Sequence, residues 1–309
     1  MVNNGQATIR TVVYRSPADA PFGVEVMSFE QLRGMARPSR RAAPQRPRFH
    51  VLAVVEQGVG HHTVDFERYD LAPGSVMWIR PGQVHQLDGV EQVQGAIVLF
   101  QPDFLAPGTL AQAAADDVFG AKGWDLAEPR KPLALLALEH LRTEYVRGAG
   151  DPVPERIEVL RQLLTVLVLR VLPESAGGAV RTDEAFLRFR QEVERHFAAS
   201  RQVSWYAQRL GYSVRTLARA TSSSVGLGAK EFIDQRVVLE AKRLLVHGDL
   251  TVAQCARQVG FDDTANFGKF FERQVGLSPG VFRHAGASGE PGGSGASGES
   301  GESGQERRA

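Results

Sequence analysis

Apolar and polar positions follow two different periods along this chain, and the change occurs near residue 101. Before it, short apolar or alternating runs are separated by Gly and Pro, a pattern that predicts β-strands. These runs cover residues 24–29, 49–55, 62–69, 76–79 and 96–100. Their spacing favours a small barrel or sandwich. Residues 37–48 contain several Arg and three Pro, so we predict an exposed loop there.

After residue 101 the apolar positions recur every three or four residues, which indicates helices. One helix is predicted at residues 132–147 and another at about 154–172, where Pro154 lies in the first turn. The second helix has a wide apolar face. Packing against the strands explains this face, and self-association through a pair of helices explains it equally well.

The last third of the chain contains one helical unit twice. Residues 206–213 match residues 255–262 at an offset of 49, and a glycine, Gly211 or Gly260, lies at the same position in each copy. A repeat of this length is unlikely to arise by chance. Helix, short Gly turn and capped helix make up the helix-turn-helix arrangement, in which the second helix enters the major groove of DNA.

Polar residues precede the predicted helices of this segment, as expected for helix caps. The predicted caps are Asp183, Ser213, Thr251 and either Asp262 or Asp263. Between the two copies, residues 229–247 are predicted to form one continuous helix. About 18 residues at ~1.5 Å each give roughly 27 Å, enough for a rigid spacer between units that read successive major-groove faces roughly 34 Å apart. One subunit is therefore expected to read two adjacent DNA segments.

The overall composition of the chain does not indicate which class of partner it binds. The 309 residues include 36 Lys and Arg against 35 Asp and Glu, a formal net charge of +1, whereas residues 183–284 hold 15 against 11, a net +4 that suits DNA contact. The single Cys255 has no partner for a disulfide or a thiolate metal cluster. The sequence has no apolar run of about 18 residues and no signal-peptide pattern, so we expect a cytoplasmic protein without a membrane span.

The repeated segment resembles the AraC/XylS family of bacterial transcriptional regulators over residues 183–283. The residues that carry the resemblance are Gly211-Tyr212-Ser213, Gly226, Phe232, Ala241-Lys242-Arg243-Leu244-Leu245, Gly260-Phe261, Asn266-Phe267, Phe270-Phe271, Gly276-Leu277-Ser278-Pro279 and Phe282-Arg283. The resemblance implies an all-α domain with two helix-turn-helix units joined by a linker helix. It also implies double-stranded promoter DNA and RNA polymerase as partners.

By position, the resemblance assigns base contacts to the second helix of each unit. These residues are Arg215, Ala218 and Arg219 in the first copy, and Thr264, Ala265, Asn266 and Lys269 in the second. Arg can make two hydrogen bonds to guanine and Asn two to adenine, whereas Ala meets only a thymine methyl. Because Ala265 corresponds to Arg215, we expect the first copy to provide most of the sequence readout. A plain surface charge is the alternative role of the two arginines.

The first part of the chain is more weakly similar to the cupin-like effector and dimerisation domain that many family members carry. Gly74, Pro81, Gly82 and His85 resemble the second cupin motif. The resemblance implies a small-molecule effector inside the barrel, or a homodimer formed by this domain, or both. The candidate residues near the effector are Phe49, His50, Trp78 and His85.

Metal binding is the alternative role of the histidines. Cupin enzymes use a His-x-His pair with a Glu, whereas His61 and His62 are adjacent here, and successive strand side chains point to opposite faces. His50, His62 and His85 could still converge, although a metal requires three or four ligands. Hydrogen-bonded or exposed histidines are favoured, so no metal, cofactor or catalytic residue is predicted. A metal-dependent cupin enzyme with an attached DNA-binding domain and a nonspecific nucleoid-like binder are the rival functions.

The predicted fold class is multidomain α+β. The predicted parts are a flexible arm at 1–20, a cupin-like β-barrel with helices at 21–172, a linker at 173–182, the double helix-turn-helix domain at 183–284 and a disordered Gly/Ser/Glu tail at 285–309. Together they predict a sequence-specific DNA-binding transcriptional regulator whose N-terminal domain senses a small molecule or dimerises.

Overall fold

The computed structural model describes residues 10–14, 17, 22–35, 37–117, 120–148, 153–173 and 183–287. The described strands all precede residue 126, and residues 183–287 are helical. This division confirms the predicted multidomain α+β class. Most of the predicted arm, the linker after residue 173 and the tail after residue 287 lie outside the described residues.

The described strands form two five-stranded sheets. They are β1 (Arg10–Val12), β2 (Val24–Ser28), β3 (Gln45–Pro47), β4 (His50–Gln57), β5 (Gly60–Val64), β6 (Glu67–Leu71), β7 (Ser75–Ile79), β8 (His85–Gly89), β9 (Gln94–Phe100) and β10 (Gly123–Asp125). The first sheet has the order β1-β3-β8-β5-β6 and the second β10-β7-β4-β9-β2. The predicted cupin-like barrel is therefore an open pair of facing sheets.

The first part also contains five described helices, and one strand face packs against them. They are α1 (Phe29–Met35), α2 (Pro38–Ala42), α3 (Leu110–Ala115), α4 (Lys131–Gly148) and α5 (Pro154–Val171). On the central strand β4, Leu52 and Val54 join the core shared with α4 and α5. Val51 and Ala53 join the core between the two sheets. This alternation along β4 gives the domain two cores on opposite sides of one sheet.

Helix α5 packs against the sheet-rich part, as one of the two explanations of its wide apolar face requires. Leu160, Leu164 and Leu167 are fully buried in the core shared with the second sheet. Val166 and Leu169 on its other side remain exposed. Packing therefore accounts for most of the face, and self-association stays a prediction.

Two sequence predictions in this part are wrong. Residues 62–69 form a hairpin instead of one strand, because Asp65 and Phe66 have φ of 47° and 75° and make a two-residue turn between β5 and β6. Residues 37–48 form α2 and β3 instead of an exposed loop, and Arg41 is buried. Here β3 pairs with β1 and β8, which draws the segment into the first sheet.

Residues 183–287 form seven described helices around a second core. They are α6 (Glu184–His196), α7 (Val203–Leu210), α8 (Val214–Val225), α9 (Ala229–His247), α10 (Val252–Gln258), α11 (Thr264–Val275) and α12 (Pro279–Ala287). Helix α9 has the predicted bounds, and α12 ends three residues after residue 284. None of the helices in the described ranges is long and apolar enough to cross a membrane.

The predicted caps fix the helix starts. Asp183 accepts a hydrogen bond from the N–H of Ala185, and Ser213 accepts one from Thr216. Thr251 forms a capping box with Gln254. Asp263, rather than Asp262, caps α11 by accepting from the N–H groups of Ala265 and Asn266.

Candidate DNA interface and effector cavity

Each helix-turn-helix unit has a second helix that is predicted to contact DNA. In the first unit this is α8, here called the first reading helix, and in the second unit it is α11, here called the second reading helix. All seven predicted base-contacting residues on them are exposed: Arg215, Ala218, Arg219, Thr264, Ala265, Asn266 and Lys269. Among the described residues, the three basic side chains of this set form no hydrogen bond or ion pair. These cations are therefore available to an anionic partner, and two of the three lie on the first reading helix.

The opposite face of each reading helix is anchored in the second core. Leu217 and Ala220 of α8 are fully buried, as are Phe267 and Phe271 of α11. Burial of a large apolar side chain contributes about 1.5–3 kcal/mol. These anchors fix which face each helix presents to solvent.

Glycine is required at both turns for reasons that differ between the copies. Gly211 has a φ of +71° with open space around its α-carbon, so backbone conformation alone demands glycine there. Gly260 has a φ of +83°, and a Cβ at this position would lie 2.1 Å from the carbonyl oxygen of Ala198. The second turn is thus packed tightly against the chain that follows α6.

A cavity of about 300 Å³ lies between the two sheets of the N-terminal part. It is lined by Val12, Val13, Tyr14, Glu25, Met27, Phe29, Leu32, Met35, Gln45, Pro47, Phe49, Val51, Ala53, His62, His85, Leu87, Ile97 and Leu99. Most of these side chains are apolar, and the volume is within the range of small-molecule sites. Val12 at the end of β1 and the following Val13 and Tyr14 contribute to one side of the cavity.

Only two of the four predicted effector residues line this cavity. Phe49 and His85 do, but His50 and Trp78 lie on the other side of the second sheet. There His50 accepts a hydrogen bond from Trp78 Nε1 at 3.3 Å and stacks on Phe100 at 4.6 Å. The structure therefore does not place His50 and Trp78 at this cavity, because strand alternation directs them towards the helix-covered core.

His62 and His85 form a buried pair at the cavity. His62 Nε2 and His85 Nδ1 are 3.0 Å apart. Burial lowers the pKa of His62 well below 6.5 and that of His85 to about 4, so both rings are neutral near pH 7. His61 lies 3.6 Å from Asp88 on the outer face, as the alternation predicts. No group of three or more His, Cys, Asp or Glu in the described ranges is arranged to hold a metal.

The Asp65–Phe66 turn of the β5–β6 hairpin, here called the hairpin turn, connects the two parts of the chain. Arg243 of α9 donates from Nε and Nη2 to the two carboxylate oxygens of Asp65, each at 2.8 Å. The side chain of Asp65 is 0% exposed and that of Arg243 is 4% exposed. Phe66 stacks on His247 with ring centroids 5.1 Å apart and contacts Phe282 edge to face. The turn therefore holds α9 and α12 through one buried ion pair and two ring contacts.

Electrostatics favour the ionised form of Asp65 despite its burial. Burial alone would raise the pKa of Asp65, but the charge and hydrogen bonds of Arg243 and the N–H of Val84 hold it below its usual value. Glu240 of α9 extends the contact by pairing with Arg46 at 2.7 Å, and also with Arg243 at 3.4 Å. Asp65, Glu240, Arg46 and Arg243 thus form a network of ion pairs between the sheet-rich part and the helical part of the chain.

The hairpin turn and the position of His62 at the cavity are not predicted from the sequence. An Asp in the middle of an alternating strand pattern was the available signal for the turn, because Asp is disfavoured in strands and common in turns. Phe66 carried no such signal. The sequence offers His62 as a metal ligand or as a hydrogen-bonded or exposed histidine, and its pairing with His85 depends on the register between β5 and β8.

Comparisons with known proteins agree with this organisation. A sequence profile described as an AraC-like ligand binding domain matches residues 29–164, and one described as a helix-turn-helix domain matches residues 206–285. The HTH-type transcriptional activator RhaS of Salmonella schwarzengrund is 26% identical over 239 residues, which span 75% of this chain and 84% of RhaS. RhaS of Citrobacter koseri is 27% identical over 241 residues, 75% of this chain and 84% of that protein.

A solved structure of ToxT from Vibrio cholerae aligns over 84% of this chain and 97% of its own, with a TM-score of 0.39 and 12% identity. The two profiles fall on the sheet-rich and helical parts in the order found in the structure. The chain belongs to the AraC/XylS family of transcriptional regulators, with an N-terminal ligand-binding domain and a C-terminal helix-turn-helix DNA-binding domain.

Proposed function

We propose that this regulator reads promoter DNA chiefly through Arg215 and Arg219 of the first reading helix. The exposure of both side chains, with no partner among the described residues, carries the proposal. Each arginine can bind guanine with two hydrogen bonds. In the second reading helix, Asn266 can bind adenine, whereas Ala265 offers only a methyl group and Lys269 contributes charge.

The cavity between the sheets is the proposed effector site, and the hairpin turn is the proposed route to the DNA-binding domain. His85 lines the cavity and follows Val84, whose N–H donates to Asp65 at 3.0 Å. Asp65 in turn binds Arg243 on α9. An effector that shifts β8 would therefore change the position of α9. Coupling between the cavity and the DNA-binding surface requires such a change.

Further partners follow from the family and from the surface. We propose that the regulator works in the cytoplasm and contacts RNA polymerase, with activation supported by the name of the RhaS relatives. Val166 and Leu169 on α5, together with Leu136 on α4, are exposed and apolar, which supports a homodimer through these helices. We propose no catalytic activity, and metal analysis of the purified protein checks this because a cupin enzyme would hold about one metal per chain.

Selection of binding sites from random DNA with the full-length protein tests the reading of sequence. A regulator enriches one motif that spans two adjacent major-groove segments, whereas a nonspecific binder enriches none. The same selection with Arg215→Ala/Arg219→Ala should lose base preference in one segment only. Lys269→Ala should keep the motif and weaken binding overall, and loss of the motif in that variant would refute the unequal roles of the two helices.

A further inference from the structure

We propose that the cavity takes an uncharged, mainly apolar molecule whose single hydrogen-bonding group meets the His62–His85 pair. This inference rests on the proposed role of the cavity as the effector site.

Size and lining set the apolar part of the ligand. A volume of about 300 Å³ suits a skeleton of two or three fused or linked rings. The walls are formed mainly by aliphatic, aromatic and thioether side chains, including Phe29, Phe49 and Met27, and the lining also contains the polar groups of Tyr14 and Gln45. A sugar would leave most of its hydroxyls without partners against such walls, which is costly.

The charged groups of the lining disfavour ionic ligands. No Lys or Arg belongs to the described lining, so a carboxylate, sulfonate or phosphate would lose its hydration without gaining a countercharge. Glu25 is the single carboxylate of that lining, and it already interacts with another group. A cationic ligand would therefore have to compete for Glu25.

The histidine pair sets the polar part. Two neutral imidazoles carry two N–H groups and two unprotonated nitrogens between them. Their mutual hydrogen bond uses one of each, whichever tautomers are present. One donor and one acceptor remain, which matches a hydroxyl, an amine N–H or an amide better than an ion or a polyol.

Two fluorescent probes with one skeleton test the charge preference. N-phenyl-1-naphthylamine is neutral and has one N–H donor, and 1-anilinonaphthalene-8-sulfonate adds a permanent negative charge. Titration of the full-length protein at pH 7.5 should give saturable binding of about one neutral probe per chain. The sulfonate should bind at least about tenfold more weakly, because its charge cannot be compensated. Equal or tighter binding of the sulfonate, or no saturable binding of the neutral probe, would overturn the proposal.

A third molecule tests the hydrogen bond. 1-Benzylnaphthalene replaces the N–H of the neutral probe with a methylene group, and its affinity is measured by displacement of that probe. It should bind about three- to tenfold more weakly, the usual range for one hydrogen bond. In His85→Leu this difference in affinity should disappear. In His61→Leu, which changes the histidine next to His62 on the outer face of the sheet, the difference should persist. Persistence of the full difference in His85→Leu would remove the histidine pair from the proposal.

Cavity filling provides a variant that leaves the histidines intact. Ala53→Leu should weaken the neutral probe by about tenfold or more while circular dichroism stays unchanged, and unaltered affinity would place the probe elsewhere. Site selection with the same preparation distinguishes a wrong ligand class from a wrong assignment as a regulator. A protein that enriches a DNA motif but prefers the sulfonate refutes the ligand class alone, whereas one that takes the neutral probe and enriches no motif refutes the regulator.

Discussion

Replacing Asp65 with Asn removes one charge from the contact between the hairpin turn and α9 and changes the side-chain volume little. The carboxylate accepts two hydrogen bonds of 2.8 Å from Arg243, and both side chains are buried. In the variant, Glu240, at 3.4 Å, is the one carboxylate still paired with Arg243 among the described residues. The guanidinium would therefore be left buried with part of its charge uncompensated.

The expected cost follows from that burial. An exposed ion pair contributes about 0–1 kcal/mol, whereas removing one partner of a buried pair costs about 3–5 kcal/mol. Because Glu240 still faces Arg243, we expect the lower end, about 3 kcal/mol. This corresponds to a change of more than about 100-fold in the equilibrium for docking α9 against the hairpin turn.

Urea unfolding of the full-length protein measures the cost. Asp65→Asn should lower the free energy of unfolding by about 3 kcal/mol, and the double variant Asp65→Asn/Arg243→Met should recover most of it, since loss of both partners of a buried pair is often close to neutral. Asp70→Asn is the matched control, because Asp70 lies in the same hairpin and is 89% exposed. Equal effects of the two Asp→Asn changes would refute a buried interdomain ion pair.

Three further predictions concern DNA binding, the domain boundary and pH. Arg219→Ala should weaken specific DNA binding by about 1–3 kcal/mol, measured by fluorescence anisotropy, with the exposed Arg188→Ala as control; equal loss on random DNA would refute base reading. The fragment 182–284 should fold and bind DNA as a monomer in the same assay, since the second core lies within it. Stability should fall as pH drops from about 6.5 to about 4, at up to about 1.4 kcal/mol per pH unit for each buried histidine, because the lowered pKa values of His62 and His85 mean that only the unfolded chain takes up protons. Urea unfolding at pH 7 and pH 5 checks this, and an unchanged midpoint would contradict it.

The helical part was predictable because its signals are local. Ser213 and Thr251 mark helix starts, Gly211 and Gly260 mark turns, and the apolar spacing of each helix fixes its buried face. The copies repeat these signals, so each supports the other. The exposure of the predicted base-contacting residues follows from the same spacing.

The sheet-rich part was predictable only as a set of strands, since its chemistry depends on pairing between distant segments. A strand pattern shows that neighbours alternate but does not show which face meets which core, so the sequence does not separate Phe49 and His85, which line the cavity, from His50 and Trp78, which do not. The hairpin turn was missed for a related reason. Its positive φ angles occur at Asp65 and Phe66, so no glycine in the sequence indicates them. The contacts of the turn with α9 and α12 help to stabilise these angles.

Helix α9 carries the residues that bind the hairpin turn and also joins the two helix-turn-helix units. At 19 residues it behaves as a rod of roughly 28 Å. A rod transmits rotation and translation to both of its ends at once, so we expect an effector that moves α9 to shift both reading helices together. The preferred base sequence should then be the same with and without effector. The quantity that changes should be the tolerated distance and helical phase between neighbouring binding sites on the promoter.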